Sequence, residues 1–227
     1  KPDLFRIDPE FKNRFPTVTV GIAIIKNVKI KQEDKNLISE ISDFIRSHQY
    51  LTARDISDFP EIQSYRRIYK ETGVDWHSKR PSPEALLRRI AAKKDLPVIN
   101  TCADAYNLVV IKNKISVGAF NLDKIKFPAI LRFARKGDRI VLLGDEDYTY
   151  YRSGEVAYFD ADEGYNIDFN YRDSQRTKVD IHTKNLWINV EGVYDITREQ
   201  VEESLKDTIN IIIKYCGGKL ELVGIVK

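Results

Sequence analysis

The chain has 227 residues, 42% of them hydrophobic, which is enough material for one large domain with a buried core. Its 37 basic and 34 acidic residues leave a net charge of only +3, so any nucleic-acid partner has to meet a local basic patch rather than a polycation. Because no apolar run is long enough to span a bilayer and the start lacks the apolar core of a signal peptide, we expect a cytoplasmic protein with no membrane partner.

The first part of the chain, about residues 30–115, is predicted to be mainly helical. A strand rich in β-branched residues is expected at 17–28, followed by an amphipathic helix at 33–47. Further helices are predicted at 62–72, at 82–94, where Pro83 suits the first helical position, and in the stretch 99–112 that follows Pro97.

The second part, about residues 116–192, is predicted to be rich in β-structure. Short strand-like segments separated by glycines and turns lie at 115–122, 139–144, 153–160, 166–173 and 186–192, a spacing typical of an antiparallel or mixed sheet. A last helix is expected at about 197–216, between the capping pattern Thr197 to Gln200 and the pair Gly217-Gly218. We therefore expect a single domain over residues 1–227 of the α/β (α+β) class, in which helices flank a central mixed or antiparallel sheet.

The segment 186–191 alternates strictly between two kinds of side chain. Leu186, Ile188 and Val190 form an apolar face that should join the core. The opposite face carries Trp187, Asn189 and Glu191. An aromatic ring, an amide and a carboxylate in one row could line a cleft that holds a small polar ligand. The alternative is an edge strand whose outer face is simply solvated.

The usual catalytic and metal-binding patterns are absent from the sequence. The three histidines lie in separate segments without the spacing of metal ligands, and there is no nucleophile elbow, phosphate loop or dinucleotide fingerprint, so we expect neither a metal nor a cofactor. Asp104 and Asn107 lie one helical turn apart and can present a carboxylate and an amide to the same place. The alternative for this pair is a helix cap or a hydrogen bond within the core.

Two groups of cations are candidates for contact with phosphate. Arg88 and Arg89 lie on the predicted helix at 82–94, and Arg172, Arg176 and Lys178 lie just before the alternating strand. These side chains could bind nucleic-acid phosphate, or they could be a solvated helix face and the cover of a sheet edge.

Taken together, these features resemble the tRNA-binding and editing module of the phenylalanyl-tRNA synthetase β subunit, its third and fourth domains, in a free-standing form. The resemblance rests on Asp104, Asn107 and the segment GAFNLDKI at 118–125, and on Thr183 followed by a short apolar strand that ends in Glu191. The segments RPSPEALLRR and RDSQRTKV, at 80–89 and 172–179, also look like those of free-standing relatives. The likeness covers about residues 15–218.

This resemblance implies the fold of the editing domain and a function in translation fidelity. In the synthetase, the module hydrolyses tyrosine wrongly esterified to the phenylalanine tRNA, and the glutamate matched by Glu191 contributes to recognising the tyrosyl hydroxyl. Here Gly118 stands where the family has histidine and Tyr106 where it has threonine, so tyrosine specificity does not transfer. The expected function is hydrolysis in trans of a mischarged aminoacyl-tRNA. The amino acid, the tRNA and the oligomeric state stay open, and the chain lacks the machinery to charge a tRNA itself.

The resemblance also suggests roles for particular residues. We expect Glu191 and Asn107 to hold the amino-acid part in one small cavity, Asp104 to orient Asn107 or water, and the backbone at Gly118 to donate to the carbonyl oxygen. An aminoacyl ester is already activated, so the site need only orient water and the terminal ribose hydroxyl. The expected pocket residues are Tyr106, Gly118, Ala119, Thr183, Trp187 and Asn189. The residues expected to bind tRNA are Arg88, Arg89, Arg172, Arg176 and Lys178.

Two other functions stay compatible with the sequence. One is a tRNA or amino-acid binding module that has kept the fold and lost the chemistry, which the residues at 106 and 118 make plausible. The other is a protein-interaction domain, which would show no salt-dependent affinity for tRNA.

Overall fold

The computed structural model of the protein describes residues 4–227, so residues 1–3 of the predicted domain lie outside the described range. Seven α-helices are described: α1 (Pro9–Arg14), α2 (Lys35–Ser47), α3 (Ala53–Asp58), α4 (Pro60–Glu71), α5 (Ser82–Ala91), α6 (Thr101–Asn113) and α7 (Arg198–Cys216). The described strands are β1 (Phe5–Ile7), β2 (Thr19–Lys26), β3 (Ser116–Asn121), β4 (Ala129–Phe133), β5 (Arg139–Ile140), β6 (Thr149–Tyr150), β7 (Val156–Phe159), β8 (Asn166–Ile167), β9 (Arg172–Asp173), β10 (Asn185–Gly192) and β11 (Lys219–Val226).

A four-stranded antiparallel sheet in the order β11-β2-β10-β3 forms the centre of the fold. Strand β10 pairs with β2 along its whole length, from Asn185 opposite Lys26 to Gly192 opposite Thr19, and with β3 on its other side. The alternating segment is therefore a central strand. The solvated edge strand is wrong as an alternative, because both neighbours of β10 are hydrogen-bonded to it.

The two faces of this sheet pack against different layers. On one face, Ile188 and the other apolar residues of β10 join a core that includes buried side chains of α2, α5, α6 and α7. On the opposite face, Trp187 joins a second core made with α1 and with a three-stranded sheet of order β1-β4-β7. The mixed α+β architecture with a central antiparallel sheet, as predicted, is confirmed.

Side-chain caps mark the start of several helices. In α2 the Asp34 side chain accepts hydrogen bonds from the backbone N–H groups of Asn36 and Leu37, and in α7 Thr197 and Gln200 form a reciprocal capping box. The elements α1, α3, β1, β4, β6 and β11 were not predicted from the sequence. The helix that begins at Ser82 was predicted to run three residues beyond its observed end at Ala91. None of the helices described within residues 4–227 is both long and apolar enough to cross a membrane.

Candidate functional site

A sealed polar cluster surrounds the carboxyl group of Glu191, which is only 1% exposed. Nδ2 of Asn170 donates to both of its oxygens, at 2.7 and 2.8 Å, and the Tyr158 hydroxyl donates to Oε2 at 3.0 Å. Burial raises the pKa of Glu191 to about 8, although these hydrogen bonds oppose the shift. The group is therefore mostly protonated at neutral pH.

Asn189 and Trp187 continue this cluster along the same face of β10. The Oδ1 atom of Asn189 accepts from Trp187 Nε1 and from the Tyr165 hydroxyl, both at 3.1 Å, and both residues of β10 are fully buried. The Nδ2 atom of Asn189 is buried without a hydrogen-bond partner among residues 4–227. The prediction that this face forms the wall of an open cleft is wrong, because the layer containing Tyr158 and Tyr165 covers it.

A strained turn delivers the amide that binds Glu191. Asp168, Phe169 and Asn170 have φ values of 50°, 52° and 58°, which place three consecutive non-glycine residues in the left-handed region. Such conformations cost on the order of 1–3 kcal/mol each and persist only where the surroundings hold them. Here the Tyr69 hydroxyl donates to the Asp168 carbonyl oxygen, and Asn166 donates to Oδ1 of Asn170.

Because Gly118 has no side chain, the Asn170 side chain can occupy the space beside it. It lies opposite Asn189 in the pairing of β3 with β10, on the face of the sheet that carries Glu191. A Cβ atom at this position would lie 2.9 Å from Cγ of Asn170 and 2.8 Å from Cζ of Phe120. Any side chain at position 118 would therefore force Asn170 or Phe120 to move.

Asn107 and Glu191 do not line one cavity. Asn107 lies on α6, whose buried apolar residues pack on the sheet face that carries Ala119 and Ile188. The Glu191 carboxyl group lies on the opposite face, against Tyr158. That part of the prediction is wrong, because the sheet separates the helix from the carboxyl group.

Two other predicted site residues make local hydrogen bonds. Oδ1 of the buried Asp104 accepts from the Ile99 backbone N–H at 2.9 Å, just before the start of α6. Oγ1 of Thr183 accepts from the Asp180 backbone N–H at 3.1 Å. Both contacts stabilise the chain around them, and neither places the side chain beside Glu191.

An open cavity lies instead between α6, the outer strand β3 and the segment 173–181. Its volume is about 350 Å³. Among the side chains that line it are Asn100, Tyr106, Ala119, Asp173, Lys178 and Ile181. Apolar residues at its border are unusually exposed: Ile99 is 46% exposed, and Leu143 and Ile181 are each 42% exposed. Three of the predicted site residues, Tyr106, Ala119 and Lys178, therefore do come together, on the helix-covered side of the sheet.

Asp173 is the residue of this cavity that the sequence analysis missed. Its Oδ1 atom is buried and has no hydrogen-bond partner among the described residues. Burial raises the pKa of Asp173 to about 7. Burial, reinforced by the negative charge of Asp173, also raises the pKa of the Tyr106 phenol well above its usual range, so that hydroxyl stays a neutral donor. Asp173 belongs to the segment RDSQRTKV, whose cations alone were predicted to bind a ligand, so the segment could have pointed to the carboxylate as well.

Most of the predicted tRNA-binding cations are engaged within the protein. Arg88 pairs with Glu84, Arg172 with Asp145, and Arg176 with Asp160 and Glu163, while Arg89 donates to the Asp95 carbonyl oxygen. Lys178 differs from them, because it lines the cavity and has no ion pair within residues 4–227. It is therefore the cation of this group that is available to a ligand.

Comparison with known proteins identifies related sequences and structures. The phenylalanine–tRNA ligase beta subunit of Fusobacterium nucleatum is 28% identical over 172 residues, which are 75% of this chain and 21% of that protein. The chain thus spans about a fifth of the length of this relative. A crystal structure of an N-terminal fragment of the phenylalanyl-tRNA synthetase beta-subunit from Pyrococcus horikoshii matches 95% of this chain and 49% of that one, with 16% identity and a TM-score of 0.48.

A family model gives the remaining match. The model of the B3/4 domain matches residues 64–217, which include α6, β3, the segment 173–181 and β10. The resemblance to the synthetase β subunit, suggested by the sequence, is confirmed at this level. Since the match extends over well more than half of the sequence, the chain belongs to the B3/4 domain family.

Proposed function

We propose that this B3/4 domain binds the aminoacyl end of a mischarged tRNA in the cavity beside Tyr106 and Asp173 and hydrolyses the ester bond. The observation that supports this proposal is the cavity itself. It is large enough for an amino acid, it has an apolar border and polar groups inside, and all of its lining residues except Gln32 lie within the matched B3/4 region. Pockets of this composition are typical of small-ligand sites.

The chemistry required of the site is modest. An aminoacyl ester needs no strong nucleophile, because water can attack its carbonyl carbon once the carbonyl oxygen is polarised and the terminal ribose is held in place. The bond from that carbon to the ribose oxygen then breaks, and the ribose oxygen takes up a proton. The neutral hydroxyl of Tyr106 is a hydrogen-bond donor suited to the carbonyl oxygen, and Lys178 is a cation suited to a phosphate of the terminal nucleotides.

A binding module without catalysis is the second candidate. It is favoured by the state of Glu191, which is buried, mostly protonated and hydrogen-bonded to Asn170 and Tyr158. A carboxyl group in this state does not reach an aminoacyl group bound on the other face of the sheet. If hydrolysis of the ester required Glu191, the cavity beside Tyr106 would bind the amino acid and leave the ester bond intact.

A deacylation assay on a panel of mischarged tRNAs separates these candidates. Release of one amino acid by the wild-type chain, with a rate at least tenfold lower for Tyr106→Phe, supports hydrolysis in the cavity. Tyr50→Phe is the matched control, because Tyr50 is 71% exposed and lies outside the cavity. Retention of tRNA without release of any amino acid would identify a binding module, and the absence of both would leave a protein-interaction domain.

A further inference from the structure

Asp173 is partly exposed, but among the described residues one oxygen of its carboxyl group, Oδ1, is buried without the partner that buried oxygens usually have. Most buried side-chain oxygens accept at least one hydrogen bond, and leaving one unpaired costs about 1–3 kcal/mol. Within residues 4–227, the Oδ1 atom of Asp173 has no donor nearby. Because this unpaired oxygen belongs to a residue that lines a cavity, a bound ligand could supply the missing hydrogen-bond donor.

The protein's own charged groups do not compensate Asp173. Tyr106, Lys178 and Asp180 share the cavity with it, and Glu191 lies behind the sheet, where its pKa is raised in part by the charge of Asp173. Burial is the cause that raises the pKa of Asp173, and among residues 4–227 no cation lowers it. A positively charged ligand group is therefore the natural partner for this carboxylate.

The remaining walls decide which kind of cation fits. Hard metal ions such as Mg²⁺ and Ca²⁺ need several oxygen ligands. No group of three or more metal-binding side chains is found in the part of the chain that the structure describes, and Asp180, the other acid of the cavity, already accepts from the His182 backbone N–H at 2.8 Å. The exposed apolar border formed by Ile99, Leu143 and Ile181 suits instead an organic ammonium group that carries a hydrocarbon body.

We propose that Asp173 binds the free α-ammonium group of the amino acid, so that the cavity accepts α-amino acid derivatives with an unblocked amino group and rejects those that are N-acylated. This inference rests on the proposed function, since it assigns a substrate class to the same cavity. The ammonium group donates to the carboxylate, the side chain of the amino acid contacts the apolar border, and the carboxyl end points away from Asp173. An N-acetyl group removes the positive charge and adds bulk at the place where the carboxylate lies.

Binding of amino acid amides tests the inference without any hydrolysis. The probes are the amides of phenylalanine, tyrosine, leucine and alanine and their N-acetyl counterparts, titrated into the full chain by calorimetry near neutral pH, where an α-amino group is mostly charged. We expect at least one free amide to bind at least tenfold more tightly than its N-acetyl form. We expect Asp173→Asn to lose this preference and the control Asp145→Asn, in the exposed ion pair with Arg172, to keep it.

The outcomes distinguish this inference from the proposed function. Equal binding of free and N-acetylated amides, no binding of any amide, or an unchanged preference in Asp173→Asn would overturn it. Equal deacylation of aminoacyl-tRNA and N-acetylaminoacyl-tRNA would also overturn it and would leave the hydrolase in place. A preference for free amides in a chain that releases no amino acid from tRNA would support the inference and refute hydrolysis. Urea unfolding checks that Asp173→Asn is folded, which we expect because an asparagine there carries no buried charge.

Discussion

Gly118→Ala is expected to destabilise the protein strongly, although it adds only one methyl group. The new Cβ atom would enter the space of the Asn170 side chain and lie 2.8 Å from Cζ of Phe120. Asn170 cannot simply rotate away, because its Nδ2 atom donates to both oxygens of Glu191. The substitution therefore disturbs packing and a buried hydrogen-bond network together.

The size of the effect follows from these two contributions. Forcing a methyl group into a packed interior costs about 1–3 kcal/mol. Displacing Asn170 leaves the buried Glu191 short of its donor, which costs a further ~1–3 kcal/mol. Alanine also restricts the unfolded chain, which returns roughly 0.4–1 kcal/mol. We expect the free energy of unfolding to fall by about 1–6 kcal/mol.

Urea unfolding followed by circular dichroism measures this change, with Gly224→Ala as the matched control. Gly224 also lies in a strand, but a Cβ atom there would meet its nearest neighbour, Cγ1 of Ile22, at an ordinary 3.5 Å. A double-mutant cycle with Asn170→Gly tests whether the added methyl group acts through the Asn170 side chain. Glycine removes that side chain and tolerates the left-handed backbone at position 170. In the absence of the Asn170 side chain, the penalty at Gly118 should shrink by 1 kcal/mol or more.

Two results would refute this reasoning. One is a Gly118→Ala variant as stable as Gly224→Ala. The other is strict additivity of the changes at Gly118 and Asn170, which would show that the methyl group acts on something other than that side chain.

Three further predictions follow from buried or unpaired charges. Because the pKa of Glu191 rises from 4.5 to about 8 on folding, the folded state keeps a proton that the unfolded state has lost, and the free energy of unfolding should fall by a few kcal/mol between about pH 5 and pH 8. Glu191→Gln should flatten this part of a series of urea titrations, and an unchanged slope would contradict it. Glu84→Gln should lower the free energy of unfolding by ~3 kcal/mol in the same assay, because the fully buried Glu84 accepts hydrogen bonds from Arg66 at 2.9 Å and from Arg88 at 2.8 Å. A decrease under ~1 kcal/mol would show that the negative charge of Glu84 is not required. If the chain binds tRNA, Lys178→Ala should reduce the magnitude of the slope of log affinity against log salt by about 1. Arg88→Ala should leave the slope unchanged, because the Arg88 guanidinium is already paired. The reverse pattern would show that tRNA phosphate contacts α5.

Local sequence was sufficient for elements whose ends and faces depend on neighbouring residues. The apolar stripe of α2, the cap of α7 and the strict alternation in β10 are properties of short segments, and each was predicted close to its observed position. The longer helices in the first part of the chain and most strands of the second part could likewise be identified from periodicity and turn residues. The relation to the synthetase β subunit was also visible in short motifs, and the family match confirms it.

The candidate site depended on contacts between distant segments. Alternation in β10 separates Trp187, Asn189 and Glu191 from their apolar neighbours, but it cannot say whether the polar face meets water or another layer. Here the layer that contains Tyr158 and the strained turn at Asn170 covers that face, because β1, β4 and β7 assemble into a second sheet.

The same limit explains the cavity. Asn107 was placed with Glu191 by the resemblance to the synthetase module, whereas the packing of α6 puts them on opposite faces of the sheet. Asp173 became a candidate only when the fold buried it beside Tyr106. The sequence by itself determined the longer secondary-structure elements and the family, since these follow from local patterns. The tertiary structure alone decided which polar groups are sealed and which line a cavity, since burial depends on residues far apart in the chain.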